Sequence, residues 1–418
     1  MGQAAPSAGL IILRRILAYA RKILRWEDRL DAVSDNRRRP QIATSVIVRA
    51  VVVMFLGRLG SLNALEKTKP SRFWLRWLGK TMPSADSIGR ICSLMDVGDV
   101  RSVLHDGYTR LKRMKALVAP KHGLMLAVVD GHEATASRKR CCSGCCQRTL
   151  HTTQGDVLEY YHRYVALRLV GQDLSLMLDA EPVRPGEDEL AAARRLVERA
   201  LEMYPRAFDV VAGDALYANT SWFNFLIERG KHALAVLKNN RPNLIEDARC
   251  LFGILPAHVD VDCGKRRRRC WDRDTFTSWP TVSTTVRVVR SLETWTVRRQ
   301  LDGQEEELTS DWMWVTTLSA LQASTEAVVD MGHERWSIEN QGFNELVNRW
   351  DANHVFRHHP VAILIFTLFA MLCQNVFMAF FCRNLKPEVR RTVTMLHVAK
   401  LIAAELYTDI RGPPPASA

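Results

Sequence analysis

The spacing of apolar positions divides the chain into a helical part and a strand-and-helix part. Over residues 9–25, Ile12, Leu13, Ile16 and Leu17 stand against Arg14, Arg15, Arg21 and Lys22, which predicts a basic amphipathic helix. Residues 42–57 are almost wholly apolar and predict a buried helix. Gly60-Ser61 reads as a turn into another. Ser84 is a good N-cap, with Asp86 in the first turn where the helix dipole favours an acid, and Ile88, Ile91 and Leu94 line one side. Pro120-Lys121-His122-Gly123 closes this all-helical region, which has the make-up either of a DNA-reading unit or of a bundle packed on the catalytic part of the chain.

Beyond it the apolar runs become short and continuous, the pattern of strands buried on both faces. They cover 124–129, 160–170, 174–183, 208–213 and 232–237. A helix over 187–203 puts Leu190, Ala193, Leu196, Val197 and Leu201 on one face, and another spans 219–229. Three strands, helix, strand, helix, strand predicts an α/β fold with a mixed sheet and flanking helices. About ninety residues then precede the next helix, too many for a bare loop. Runs at 284–289, 294–297 and 312–317 predict a β-rich insertion there, holding the basic run 265–269 and several tryptophans. Residues 360–381 are apolar enough to span a membrane, but Gln374 and Asn375 interrupt them, so a buried core helix is expected. A basic amphipathic helix over 385–407 and a disordered Pro-rich tail end the chain.

The chemistry lies where these elements end. The first run closes on Asp130-Gly131 and the fourth on Asp214-Ala215. In the late helix Gly332-His333-Glu334-Arg335-Trp336-Ser337-Ile338-Glu339-Asn340, Arg335 and Glu339 share a face at i and i+4. Taken singly, each Asp suits a turn or cap and the Arg–Glu pair suits a helix surface. Together, two strand-end Asp and a helical Glu are the parts of a two-metal phosphoryl-transfer site, because hard divalent cations take carboxylate oxygens.

Three segments carry a resemblance: Val129-Asp130-Gly131-His132-Glu133, Gly213-Asp214-Ala215-Leu216-Tyr217-Ala218-Asn219, and residues 335–346. Over residues 60–375 the chain resembles a bacterial insertion-sequence transposase of the DDE class. The resemblance implies a ribonuclease-H-like catalytic domain in which Asp130, Asp214 and Glu339 hold two Mg²⁺ (or Mn²⁺) ions, with Arg335 as a DNA-phosphate contact. It also implies double-stranded DNA as partner, at transposon ends and target, a homodimer in the DNA complex, and a cytoplasmic, nucleoid-associated location in a bacterium. The division expected is a helical, DNA-binding 1–120, a catalytic 121–240 with 320–382, a β-rich insertion 241–319, and a C-terminal 383–418. Relatives with a Tyr-Arg-Glu-Lys signature carry Tyr seven residues before the Glu and Lys seven after. Here those positions are Gly332 and Leu346. A remnant that binds DNA without cutting it is the alternative this departure keeps open.

Composition agrees with a polyanionic partner: 58 basic against 45 acidic residues give +13, with a pI of about 9.4. Ten cysteines occur without a secretory signal pattern, and Pro6 breaks a myristoylation motif, so reduced thiols are expected. Cys141, Cys142, Cys145 and Cys146 crowd one turn, with Cys142 and Cys145 at metal-ligand spacing. A zinc site, drawing further on His132, His151, Cys263 or Cys270, and a plain thiol-rich turn are the two readings; the first would suit a zinc-dependent regulatory DNA-binding protein.

Overall fold

The computed structural model describes residues 8–262, 264, 266–299 and 303–408. It is an α/β fold built on one mixed sheet of ten strands. These are β1 (Leu126–Ser137), β2 (Cys146–Thr152), β3 (Gly155–Val170), β4 (Leu176–Pro182), β5 (Val210–Gly213), β6 (His232–Val236), β7 (Val259–Asp262), β8 (Arg266–Phe276), β9 (Val286–Arg298) and β10 (Glu305–Thr316). The order is β2-β3-β1-β5-β6-β10-β9-β8-β7, and β4 pairs with β3 beyond the reach of β2. β1, β5 and β6 are mutually parallel neighbours; the other pairings are antiparallel.

The continuous apolar runs form the centre of this sheet. Leu126, Ala127, Val128 and Val129 are each wholly buried, as are Val210 and Val211 beside them. The Glu189–Met203 helix, capped by Asp188 accepting from Ala191 N–H, packs on β3 and β4, and the Thr220–Glu228 helix packs on β6. The Pro360–Asn384 helix lies against β4 and gathers the Thr44–Leu56 and Val97–Arg113 helices around it. By length and hydropathy, 2.2 over its most apolar window, it could cross a membrane, yet 72% of that window is buried within the fold. The two polar residues that interrupt its sequence are tie points. Asn375 accepts from Met177 N–H and donates to Met177 C=O in β4, and Gln374 donates to the Gln341 carbonyl.

The regular elements among the described residues up to Arg113 are all helices, apart from one isolated bridge, and Ser84 caps its helix by accepting from Ser87 N–H. Arg101 joins this region to the sheet, bonding Asp179 at 2.9 Å and Glu181 at 3.2 Å.

Two expectations need correction, and the β-rich insertion gains a place in the sheet. The first strand does not stop at Asp130: β1 continues to Ser137, held by antiparallel pairing to β3 through a bulge between Glu133 and Thr135. The strands of 241–319 extend the central sheet, since β10 pairs with β6 and carries it onward through β9, β8 and β7. The C-terminal segment is two helices, Pro387–Thr392 and Met395–Thr408, split at Thr392-Val393-Thr394, where three β-branched side chains disfavour helix. Residues 1–7, Cys263, Lys265 and the tail from 409 lie outside the described residues, and with them Pro6 and the expected disordered end.

Candidate active site

The parallel pairing of β1 and β5 ends at Val128↔Ala212. Asp130 and Asp214 each stand two residues past that point, so neighbouring strands deliver both to one edge of the sheet, where parallel strands release their C-terminal residues. Asp130 is mid-strand on its β3 side, opposite Ala166. Its Oδ1 accepts from Gly131 N–H at 2.8 Å. Asp214 opens the turn after β5, accepting from Leu216 N–H at 2.8 Å.

A fourth acid belongs to this group. Glu189, 6% exposed at the start of its helix, meets the Arg163 guanidinium and accepts from Tyr217 O–H at 2.8 Å. Any side chain on Gly131 would strike the Glu189 carboxylate, which explains a glycine directly after Asp130. Burial, then the charges of Asp214 and Glu189, push Asp130 up to about 7. Glu189 is raised too, chiefly by burial.

The late helix approaches from the other side. Thr325–Glu334 is α-helical, and Ile338–Phe343 is a π-helical turn, a form frequent at functional sites. Arg335 Nη1 lies 2.9 Å from Glu339 Oε1 and 3.9 Å from Asp130 Oδ2, with its guanidinium over Trp336. Arg335 is buried, at 5% exposure, and serves here as counter-ion to both carboxylates. Thus Arg335 meets Asp130 and Glu339, and Arg163 meets Glu189, while Asp214 adds a further negative charge to the group. The neighbouring acids lead elsewhere: Glu334 meets His122 at 3.1 Å, and Glu345 meets Arg349 at 3.2 Å.

Gly332 and Leu346 are both closed in by packing. A Cβ on Gly332 would fall inside the Trp314 indole, and Leu346 is wholly buried. Gly332→Ala is therefore expected to destabilise the protein by about 1–3 kcal/mol through overpacking. Thermal denaturation checks this; an unchanged midpoint would contradict the close packing. The β-rich segment holds this helix in place as well. Glu293, 1% exposed, accepts from His333 at 2.8 Å and pairs with Arg266 and Arg268 at 3.1 Å, which keeps it down at about 2. Arg267 pairs with Asp260 at 2.7 Å. The basic run therefore lies on strand β8, where Arg266, Arg267 and Arg268 are paired with acids and Arg269 stands over Trp271. Beside Asp214 opens a cleft of about 820 Å³ whose lining includes Lys238, Asn239, Arg241 and Arg249.

The cysteine turn forms a different centre. Cys142, Cys145, His162 and His358 bring four donor atoms within 4.8 Å of one another, and this Cys₂His₂ cluster could hold a metal such as zinc. The carboxylates are less tightly drawn together than this. Cys141 and Cys146 stand apart: the Cys141 thiol turns to the Cys142 carbonyl and the buried Cys146 thiol to the Val183 carbonyl. Of the other expected ligands, His132 bonds Asn353 and stacks on Phe343, His151 pairs with Asp156, and Cys270 lies against Ser291. Burial and the facing His358 push His162 down to about 4, so its imidazole is neutral at physiological pH, the form that ligates metal.

No protein-family model matches the chain, and no curated protein matches it at significant similarity.

Proposed function

We propose that the chain is a DNA transposase of the DDE class, cleaving and joining DNA strands at the ends of an insertion sequence. The observation that carries this reading is the equal offset of Asp130 and Asp214 past the β1/β5 pairing, with Arg335 standing between Asp130 and Glu339. The strand order β4-β3-β1-β5-β6, in which β3 alone runs against the others, supports a ribonuclease-H-like reading of the sheet.

The donor set suits hard divalent cations. Asp130, Asp214 and Glu339 offer carboxylate oxygens, and burial together with the charges of Asp214 and Glu189 raises Asp130, which an added positive charge would relieve. When bound, Mg²⁺ or Mn²⁺ would supply Lewis-acid stabilisation of the attacking and leaving oxygens. The chain's own residues do the rest. Gly131 N–H orients Asp130. Tyr217 and Arg163 fix Glu189 beneath it. Arg335 balances Asp130 and Glu339 until DNA arrives, and its planar guanidinium then suits a phosphate. Lys238, Arg241 and Arg249 offer the strand a basic path to Asp214. Such an enzyme acts on DNA in the bacterial cytoplasm, as a dimer joining two ends.

A DNA-binding remnant is the second reading, favoured by Glu339 being bonded to Arg335 and by the absence of the signature Tyr and Lys. Metal-dependent cleavage separates the two.

Both readings require DNA binding. With six or more phosphate contacts, affinity should fall roughly a thousandfold or more between about 50 and 200 mM salt, as counterions are released. A binding titration across salt concentrations tests this. A flat plot of log affinity against log salt would remove DNA as the partner.

A further inference from the structure

We infer that Cys142, Cys145, His162 and His358 form a closed structural zinc site that pins the start of the Pro360–Asn384 helix to the β1–β3 pair. The inference stands apart from the carboxylate cluster and holds whether or not that cluster cleaves DNA.

The geometry comes first. Cys142 Sγ and Cys145 Sγ are 3.6 Å apart. His162 Nε2 is 3.2 Å from each sulfur, and His358 Nε2 is 3.4 Å from Cys145 Sγ. A tetrahedral zinc with Zn–S near 2.3 Å and Zn–N near 2.05 Å spaces its ligands at about 3.3–3.8 Å. These four distances fall within a few tenths of an ångström of those edges, and the two remaining pairs, both to His358, lie within 4.8 Å, so the ion is admitted by a shift of the His358 side chain toward the other three. Two thiolates and two neutral imidazoles also balance its double charge. Four protein ligands leave no open position, the mark of a structural rather than a catalytic zinc.

The surroundings are built for the site. Cys145 N–H donates to the Cys142 carbonyl at 3.1 Å, closing the turn, and Cys142 N–H donates to Cys145 Sγ at 3.2 Å, a bond that steadies a thiolate ligand. A Cβ on Gly144 would lie 2.7 Å from Pro360 Cβ, so this turn is seated on the first residue of the helix with room for glycine alone. Cys145 and His162 are buried, at 4% and 8% exposure.

The ligands come from three separate stretches: the turn between β1 and β2, the middle of β3, and the residue pair before Pro360. β2 and β3 already hold the cysteine turn beside His162, through the Cys146↔Tyr161 pairing, so the metal's added link would be to His358 and the start of the Pro360–Asn384 helix. The 351–359 segment, which links the Glu339 helix to the Pro360–Asn384 helix, is anchored at one end by His358. Its Asn353 shares a hydrogen bond with His132 of β1 at 2.9 Å. Removing the ion should loosen this segment first.

The test uses the full chain, expressed with zinc in the medium and purified without chelator. About one zinc per chain is expected by elemental analysis. Cys142→Ala and His358→Ala should fall below about a tenth of that, while Cys141→Ala and Cys146→Ala keep it. Should ligand variants fail to fold, wild type stripped by chelator and reloaded with Co²⁺ decides the matter. A tetrahedral site with thiolate ligands gives strong visible bands and a sulfur-to-cobalt charge-transfer band. Hydrogen exchange of residues 351–359 should accelerate at least about tenfold on stripping and recover on reloading. Wild type that carries less than about a tenth of a zinc and gives no such cobalt spectrum would overturn the site. Full zinc in both ligand variants would overturn the ligand assignment, and unchanged exchange on stripping would overturn the pinning role.

Discussion

Asp130→Asn, Asp214→Asn and Glu339→Gln are each expected to lower Mg²⁺-dependent strand cleavage by roughly a thousandfold or more, with DNA affinity left within a few-fold. The three acids are 214 − 130 = 84 and 339 − 214 = 125 residues apart, so only the fold can make them act as one site. β1 and β5 bring the two Asp together by their register, and the π-helical turn brings Glu339 to Arg335 and, through it, to Asp130. Each amide substitution keeps shape and removes charge. Because one missing ligand empties or misplaces an ion, a double change should cost little more than a single one. Glu334→Gln and Glu345→Gln should be far milder, since those acids serve His122 and Arg349. Single-turnover cleavage beside a binding assay reads all five. Normal cleavage by Glu339→Gln with Glu345→Gln inactive would show the third carboxylate misassigned; normal cleavage by every variant would remove the two-metal account.

The same Asp130→Asn change should stabilise the metal-free protein at alkaline pH. Asp130 sits at about 7 in the folded chain, against about 3.9 when unfolded. Between those values the folded state holds a proton that the unfolded state has lost. The group's contribution to stability is full below about pH 4 and is lost as pH rises through about 7, a difference of at most about 4 kcal/mol by pH 8. Asn at this position escapes that loss. Denaturant titrations in chelator should therefore find Asp130→Asn more stable than wild type at pH 8 and close to it at pH 4. A variant less stable than wild type at pH 8 would contradict the burial and repulsion assigned to Asp130. By the same linkage, Mn²⁺ affinity should climb with pH up to about 7 and then level, because the ion must displace that proton.

The parts legible in the sequence were those with a strong local signal. The central strands are continuous apolar runs, and the Glu189–Met203 helix announces itself by its apolar face. The extension of β1 was hidden because residues 131–137, Gly-His-Glu-Ala-Thr-Ala-Ser, have no apolar period; antiparallel pairing with β3 makes them a strand. Glu189 was hidden because an acid in a helix's first turn already has a reason to be there, the dipole. Nothing local says that Tyr217 and Arg163 reach it. Half of the Cys/His cluster was legible from the Cys142–Cys145 spacing. His162 is 20 residues from Cys142, and His358 is 213 from Cys145, so neither could be paired by spacing. The available hints were a histidine inside a strand-like run and another just before an apolar helix. Gly332 and Leu346, read in sequence as lost signature residues, are positions where packing against Trp314 and within the core leaves no room for Tyr or Lys.

The most direct test takes the wild-type chain and a linear DNA carrying the sequences that flank its own reading frame. Incubated with Mg²⁺, it should produce nicks that leave 3′-hydroxyl ends at the element boundary, and joined products when target DNA is present. With chelator in place of Mg²⁺, it should bind the same DNA and leave it intact. Binding with no cleavage under any divalent ion would contradict the account and leave the remnant reading, and cleavage that persists undiminished in chelator would contradict the carboxylate site itself.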